Sequence, residues 1–257
     1  MKRRKFIRYV GAGFLATAGT NLVANVQASQ AQNSSLSIKW LGHTSFLFTG
    51  GGRRILVNPF RPIGCTAGYR TPKVPSDIVM ISSQLLDEGV VEGLPGSPKL
   101  LYQAGVYKFD GFEAQGVAMP HDRQGGRRFG INVAWLWEQA GLKILHLGGA
   151  AGEITFEQKI LLGSPDILLL PVGGGPKAYG PQEAVQAMRT INPKLVIPTH
   201  YRTEAADAAA CDIVAVDQFL SLVGEGSVQR VGRDGISLRK SDLPAQGPLV
   251  RVLSYNF

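Results

Sequence analysis

The chain has 257 residues and a formal net charge of +8, with 44% hydrophobic and 18% charged residues. Five of its 27 Lys and Arg residues, and no acidic residue, lie in the first 31 positions, so the remainder carries +3 and its charge does not imply a nucleic-acid partner. Two cysteines, Cys65 and Cys211, allow one bridge, which excludes a disulfide framework as the basis of the fold.

Residues 1–31 read as an export signal. Lys2, Arg3, Arg4, Lys5 and Arg8 form a basic start, "YVGAGFLATAGTNLV" a weakly apolar middle, and "VQASQA" offers small-residue cleavage sites after Ala28 or Ala31. The pair Arg3-Arg4 followed by Lys5-Phe6-Ile7-Arg8 resembles the bacterial twin-arginine signal, which implies a periplasmic destination or, in a photosynthetic bacterium, the thylakoid lumen. The apolar run is short of the roughly 20 residues of a spanning helix, so no stable membrane anchor is expected after cleavage. Residues 32–257 are then expected to form one domain of enough chain for a substantial core.

Along that domain, "LSIKWLGHTSFLFTG" and "RRILVNPF" read as antiparallel strands turning at Gly50–Gly52, and "SDIVMI" as a short buried strand. Further strands are expected at Glu113–Met119, Asn132–Glu138 and Leu142–Leu147. Then come a helix at "TFEQKILLG", a strand at "DILLLPV", a helix at "GPQEAVQAMRTINP" and a strand at "KLVIPTH". The second helix has Pro181 near its start, Ala184, Val185 and Met188 on one stripe, and a stop at Pro193. "SVQRVGRDGISLRK" and "GPLVRVLSY" read as closing strands.

The order of "WLGHTSFLF", "ILVNPF", "DIVMIS", "AMPHD", "LKILHLGG", "DILLLPVGGG" and "NPKLVIPTHYRT" resembles the metallo-β-lactamase fold, in its branch of zinc-dependent hydrolases similar to ascorbate-phosphate lactonases. The resemblance runs from Ile38 to Thr203. It implies an α/β, four-layer αββα sandwich with a one- or two-metal site along one edge.

The same resemblance exposes losses. The family's His-x-His-x-Asp-His loop aligns on Ser83-Gln84-Leu85-Leu86-Asp87-Glu88, where only the aspartate survives. A further first-metal histidine falls on His121, the histidine after the last core strand on His200, and the bridging aspartate on Gly149. Of seven ligand positions three match, and the acidic residue of the family's Asp-Pro is Asn58. Leu85 has no donor atom, which removes the first metal. Asp87, Glu88 and His200 leave two carboxylates and an imidazole for one divalent ion (Zn, Mn or Fe), a set better suited to a harder ion than to zinc.

Each cleft residue also has a purely structural reading. His43 can hydrogen-bond across the turn after the first strand, His146 can be a satisfied core histidine, and Asp87 can cap the segment that follows it. Ser82 and Ser83 lack a Gly-x-Ser-x-Gly elbow. "VGGGPKAYG" has neither phosphate-loop nor dinucleotide spacing and reads as a tight turn, to which Lys177 adds charge. Arg123, Arg127 and Arg128 either cover the cleft for an anionic ligand or form a solvated face. The expectation is an exported pseudoenzyme that holds no cofactor and binds a small molecule or a protein partner. The alternative is a hydrolase of an ester, lactone or phosphoester with one metal at Asp87, Glu88 and His200.

Overall fold

The computed structural model describes residues 35–257; the export signal read at 1–31 lies outside them. Strand β1 (Leu36–Gly42) alternates buried Leu36, Ile38 and Trp40 with outward Ser37 and Lys39, the period of a sheet with one buried face. It pairs antiparallel with β2 (Ser45–Gly50), which turns through Gly51 and Gly52 into β3 (Arg53–Val57). The first apolar run is therefore two strands, because Gly42 and His43 adopt left-handed backbone and reverse the chain. β4 (Ile78–Met80) and β5 (Lys99–Leu101) add in parallel, and β13 (Gly235–Leu238) closes the other edge, giving six strands in the order β13-β1-β2-β3-β4-β5.

The second sheet contains β6 (Gly105–Phe109), β7 (Phe112–Pro120), β8 (Ile131–Gln139), β9 (Leu142–His146), β10 (Ile167–Pro171), β11 (Leu195–Thr199), β12 (Val228–Arg230) and β14 (Leu249–Val252). Their order is β12-β14-β11-β10-β9-β8-β7-β6. β10 and β11 are parallel and buried at every residue, as expected of central strands covered on both faces.

Helix α1 (Phe156–Leu162) starts at a capping box: Thr155 Oγ1 accepts from the Gln158 amide, and Gln158 Oε1 accepts from the Thr155 amide. Helix α2 (Pro181–Ile191) has proline at its first position, buries Ala184, Val185, Ala187, Met188 and Ile191, and ends at left-handed Asn192. Helix α3 (Asp217–Val223) packs on α2. α1 lies on β7 and α2 on β10, so the helical layer covers the eight-stranded sheet.

One apolar cluster fills the space between the sheets, with Trp40, Phe46, Phe48, Trp135 and Leu169 among its members. On the outer face of the six-stranded sheet a smaller cluster of Leu56, Val79 and Ile81 is roofed by Val74, Val91 and Leu94 from loops. This is the α/β two-sheet sandwich expected from the sequence. No described helix is long and apolar enough to cross a membrane.

Candidate metal centre

Strand ends converge at one edge of the sandwich. His43 follows β1, Asn58 follows β3, the loop from Ile81 follows β4, His121 follows β7, Lys177 follows β10 and His200 follows β11. His43, Asn58 and His200 all have left-handed backbone, with φ of 52°, 49° and 50°. Such conformations cost about 1–3 kcal/mol each and persist where surrounding contacts enforce them. The contacts are here: the His43 carbonyl accepts from Trp40 Nε1 at 3.0 Å and the His200 amide at 3.4 Å, while Asn58 Oδ1 accepts from the Ser82 amide at 2.7 Å.

The side chains gather in two groups. In the first, His43, Asp87 and His200 each present a ligand atom within 4.8 Å of the other two. The two rings lie 4.3 Å apart between centroids, and His43 Nε2 is 3.9 Å from Asp87 Oδ2. Both rings are buried; neither nitrogen of His43 has a protein partner, nor has His200 Nδ1. Burial lowers the His43 imidazole to about 4 despite Asp87, and Lys177 adds to the lowering. Burial also holds His200 well below the usual imidazole range. Burial works against the Asp87 carboxylate, but Lys177 Nζ, ion-paired to its Oδ2, and then His43 hold it down to about 2.

In the second group, Glu88 and His121 are fully buried, with Oε2 and Nε2 3.5 Å apart. Ser83 Oγ donates to Glu88 Oε2 at 3.3 Å, and His121 Nδ1 lies 2.6 Å from the Gly149 carbonyl. A carbonyl only accepts, so Nδ1 carries a proton directed at Gly149. Burial raises the Glu88 carboxyl, although His121 opposes it.

A cavity of about 340 Å³ opens over the first group. Ile63, Leu86, Phe129 and Ile213 give it apolar walls, and Arg128 and Lys177 bring positive charge to it. The Cys65–Cys211 disulfide joins two of its wall loops.

The expected residues divide as follows. Asp87 and His200 come together, but Glu88 does not join them; the third donor is His43, and the set Asp87, Glu88, His200 is replaced by His43, Asp87, His200. The reason lies in chain direction: Glu88 turns inward to the pair with His121, while Asp87 faces the cavity. Asp87 caps no helix, since none follows it. His43, read as structural, has both ring nitrogens free of protein partners, and only its backbone holds the turn. Asn58 pins the loop after β4 through its Oδ1. His146 is a satisfied core residue between the Thr44 carbonyl and the Gly148 amide. Arg123 does not line the cavity over the cluster: it pairs with Glu183 and donates to the Gly175 and Ala178 carbonyls, strapping the turn that carries Lys177. Lys177, read only as added charge on a glycine turn, is part of the site. Gly173 gives that turn its path, because a Cβ there would meet the His200 carbonyl oxygen at 2.2 Å.

Asp122 shapes the segment that carries Phe129 and Arg128. Its two carboxylate oxygens accept from the amides of Gln124, Gly126, Arg128 and Phe129 at 2.7–2.9 Å. Asp122→Ala is expected to speed hydrogen exchange at these four amides at least about tenfold, with little change at the amides of β10. Equal exchange in both variants would show that the loop holds itself without the carboxylate.

Two facing sheets, a helical layer and a histidine–carboxylate cluster on the sandwich edge define a protein of the metallo-β-lactamase type. The chain belongs to the β-lactamase superfamily, whose domain family matches residues 37–200. It is similar to a UPF0173 metal-dependent hydrolase of Thermococcus onnurineus, 27% identical over 218 residues that cover 74% of this chain and 93% of the other. A UPF0173 metal-dependent hydrolase of Thermus thermophilus is 28% identical over 199 residues, covering 65% and 84%. Among solved structures, a protein of Thermotoga maritima classed as a Zn-dependent hydrolase of the metallo-β-lactamase superfamily superposes with a TM-score of 0.67 at 29% identity. It covers 85% of this chain and 100% of its own.

Proposed function

We propose that the chain is a hydrolase of an ester, lactone or phosphoester that uses one divalent ion held by His43, Asp87 and His200. The observation that carries this is the convergence of three donor atoms within 4.8 Å, two of them on buried imidazoles that lack protein partners. Two imidazoles and a carboxylate are the donor set of mononuclear catalytic zinc sites, and they suit zinc better than a harder ion. Both rings are neutral at pH 7, the state in which imidazole ligates. An ion held there would supply a water acidic enough to attack at neutral pH and a Lewis acid for the scissile group. The naming of the relatives as metal-dependent hydrolases supports the same reading.

The residues of this chain set the rest. Glu88 and His121 pair with one another in the interior, which leaves His43, Asp87 and His200 to hold one ion. Ile63, Leu86 and Phe129 give the cavity apolar walls, and Lys177 offers a positive charge beside the cluster. Export through the signal at residues 1–31 belongs to the same proposal. The Cys65–Cys211 bridge supports it, since disulfides persist in oxidising compartments.

A metal-free binding protein, for a small molecule or a protein partner, is the second reading. It is favoured by the Lys177–Asp87 ion pair, which already neutralises the carboxylate. Elemental analysis of protein from its native compartment separates the two. The hydrolase is expected to carry about one equivalent of Zn, Mn or Fe that is lost in His200→Ala. Less than about a tenth of an equivalent, with a melting temperature indifferent to chelator, would establish the binding protein instead.

A further inference from the structure

We infer that Lys177 is an internal competitor for the ion: its ammonium group and the metal exclude one another at Asp87, so metal binding releases Lys177 into the cavity. This rests on the reading of His43, Asp87 and His200 as a metal site.

Lys177 Nζ is ion-paired with Asp87 Oδ2, the oxygen that also faces His43 Nε2 at 3.9 Å. An ion shared by Asp87 and His43 would lie beside that ammonium, and two cations on one carboxylate oxygen repel. Little water screens them, because the Lys177 and Asp87 side chains are only 20% and 18% exposed. The backbone under Lys177 has no freedom to retreat. Arg123 bonds the Gly175 and Ala178 carbonyls on either side of it, and the Gly174 amide donates to the Tyr179 carbonyl at 2.9 Å. The flexible four-carbon stem can move, and the cavity that Lys177 lines gives it somewhere to go. Among the described residues Asp87 is the one carboxylate ion-paired to Lys177, so loss of that partner leaves the amine free for reagents or for an anionic ligand.

Two measurements test the competition. Zn²⁺ is titrated calorimetrically into the chelator-treated, disulfide-bonded chain, as wild type, Lys177→Met, Lys177→Gln and Arg128→Gln. The Lys177 variants are expected to bind zinc more tightly by about tenfold or more, within the roughly 5–150-fold span of coupled sites. The Arg128 variant, which removes a charge at the cavity mouth, is expected to stay within about threefold of wild type. His200→Ala in the Lys177→Met background should abolish the gain. In wild type, which needs no variant to fold, acetylation of Lys177 by an amine-reactive ester, read by mass spectrometry, is expected to rise on addition of zinc.

Unchanged or weaker zinc affinity in both Lys177 variants, or Lys177 acetylation unaffected by bound zinc, overturns the inference and leaves the metal site standing. A wild type that binds no zinc beside a Lys177→Met variant with a His200-dependent site upholds the inference and overturns the wild-type metal reading. Zinc bound by neither overturns both.

Discussion

Gly149→Ala is expected to destabilise the chain by about 3 kcal/mol, because a methyl group forced into a packed interior has nowhere to go. A Cβ at Gly149 would lie 2.2 Å from His121 Cε1 and 2.6 Å from Glu88 Oε1, and both of those side chains are fully buried. His121 is further held through Nδ1 on the Gly149 carbonyl, and the Gly149 amide donates to Asn132 Oδ1 at 2.9 Å. Gly226→Ala, where an added Cβ meets nothing within 4 Å, should change stability by less than about 0.5 kcal/mol. Denaturant unfolding of the two variants checks the contrast. In a His121→Ala background the Gly149→Ala penalty should fall, since contacting residues are not additive. Equal stabilities for Gly149→Ala and Gly226→Ala would show that Glu88 and His121 move aside at no cost. An aspartate placed at 149 would meet the same clash.

Opening the Cys65–Cys211 bridge, by replacing both cysteines with serine, is expected to cost about 2–5 kcal/mol. The bridge spans 146 positions of sequence, so its loss returns a large amount of freedom to the unfolded chain. It ties the turn at Gly64–Thr66 to the loop after His200, and both contribute walls to the cavity. Three hydrogen bonds share that work: the Gly68 amide to the Ala205 carbonyl at 2.7 Å, Tyr69 to Thr203 Oγ1 at 2.6 Å, and the Asp207 amide to the Gly64 carbonyl at 3.0 Å. If the double variant unfolds within about 0.5 kcal/mol of wild type, those bonds suffice and the disulfide adds little.

Most of the fold was legible along the chain. Alternation in "LSIKW", the uninterrupted apolar runs "ILLLP" and "LVIPT", and the spacing of Ala184, Val185 and Met188 each record a local period that burial on one or two faces imposes. The elements that went unread lacked such a period: β5 and β6 are short edge-side strands with exposed residues, and α3 offers two turns of helix with only Phe219 and Leu220 buried.

The site was legible in its inventory and not in its pairing. The resemblance pointed to Asp87, His121 and His200 as candidate donors, and to Leu85 and Gly149 as positions without a side-chain donor. Which donors meet was decided only by the tertiary structure, since Asp87 and Glu88 are neighbours in the chain yet turn to opposite groups. Glu88 goes to His121 in the interior, and Asp87 goes to His43, His200 and Lys177 under the cavity. Sequence constrains where a backbone passes through local periodicity, but the direction of each side chain at a strand end follows from loops as much as 90 residues away, as with Lys177 and Asp87.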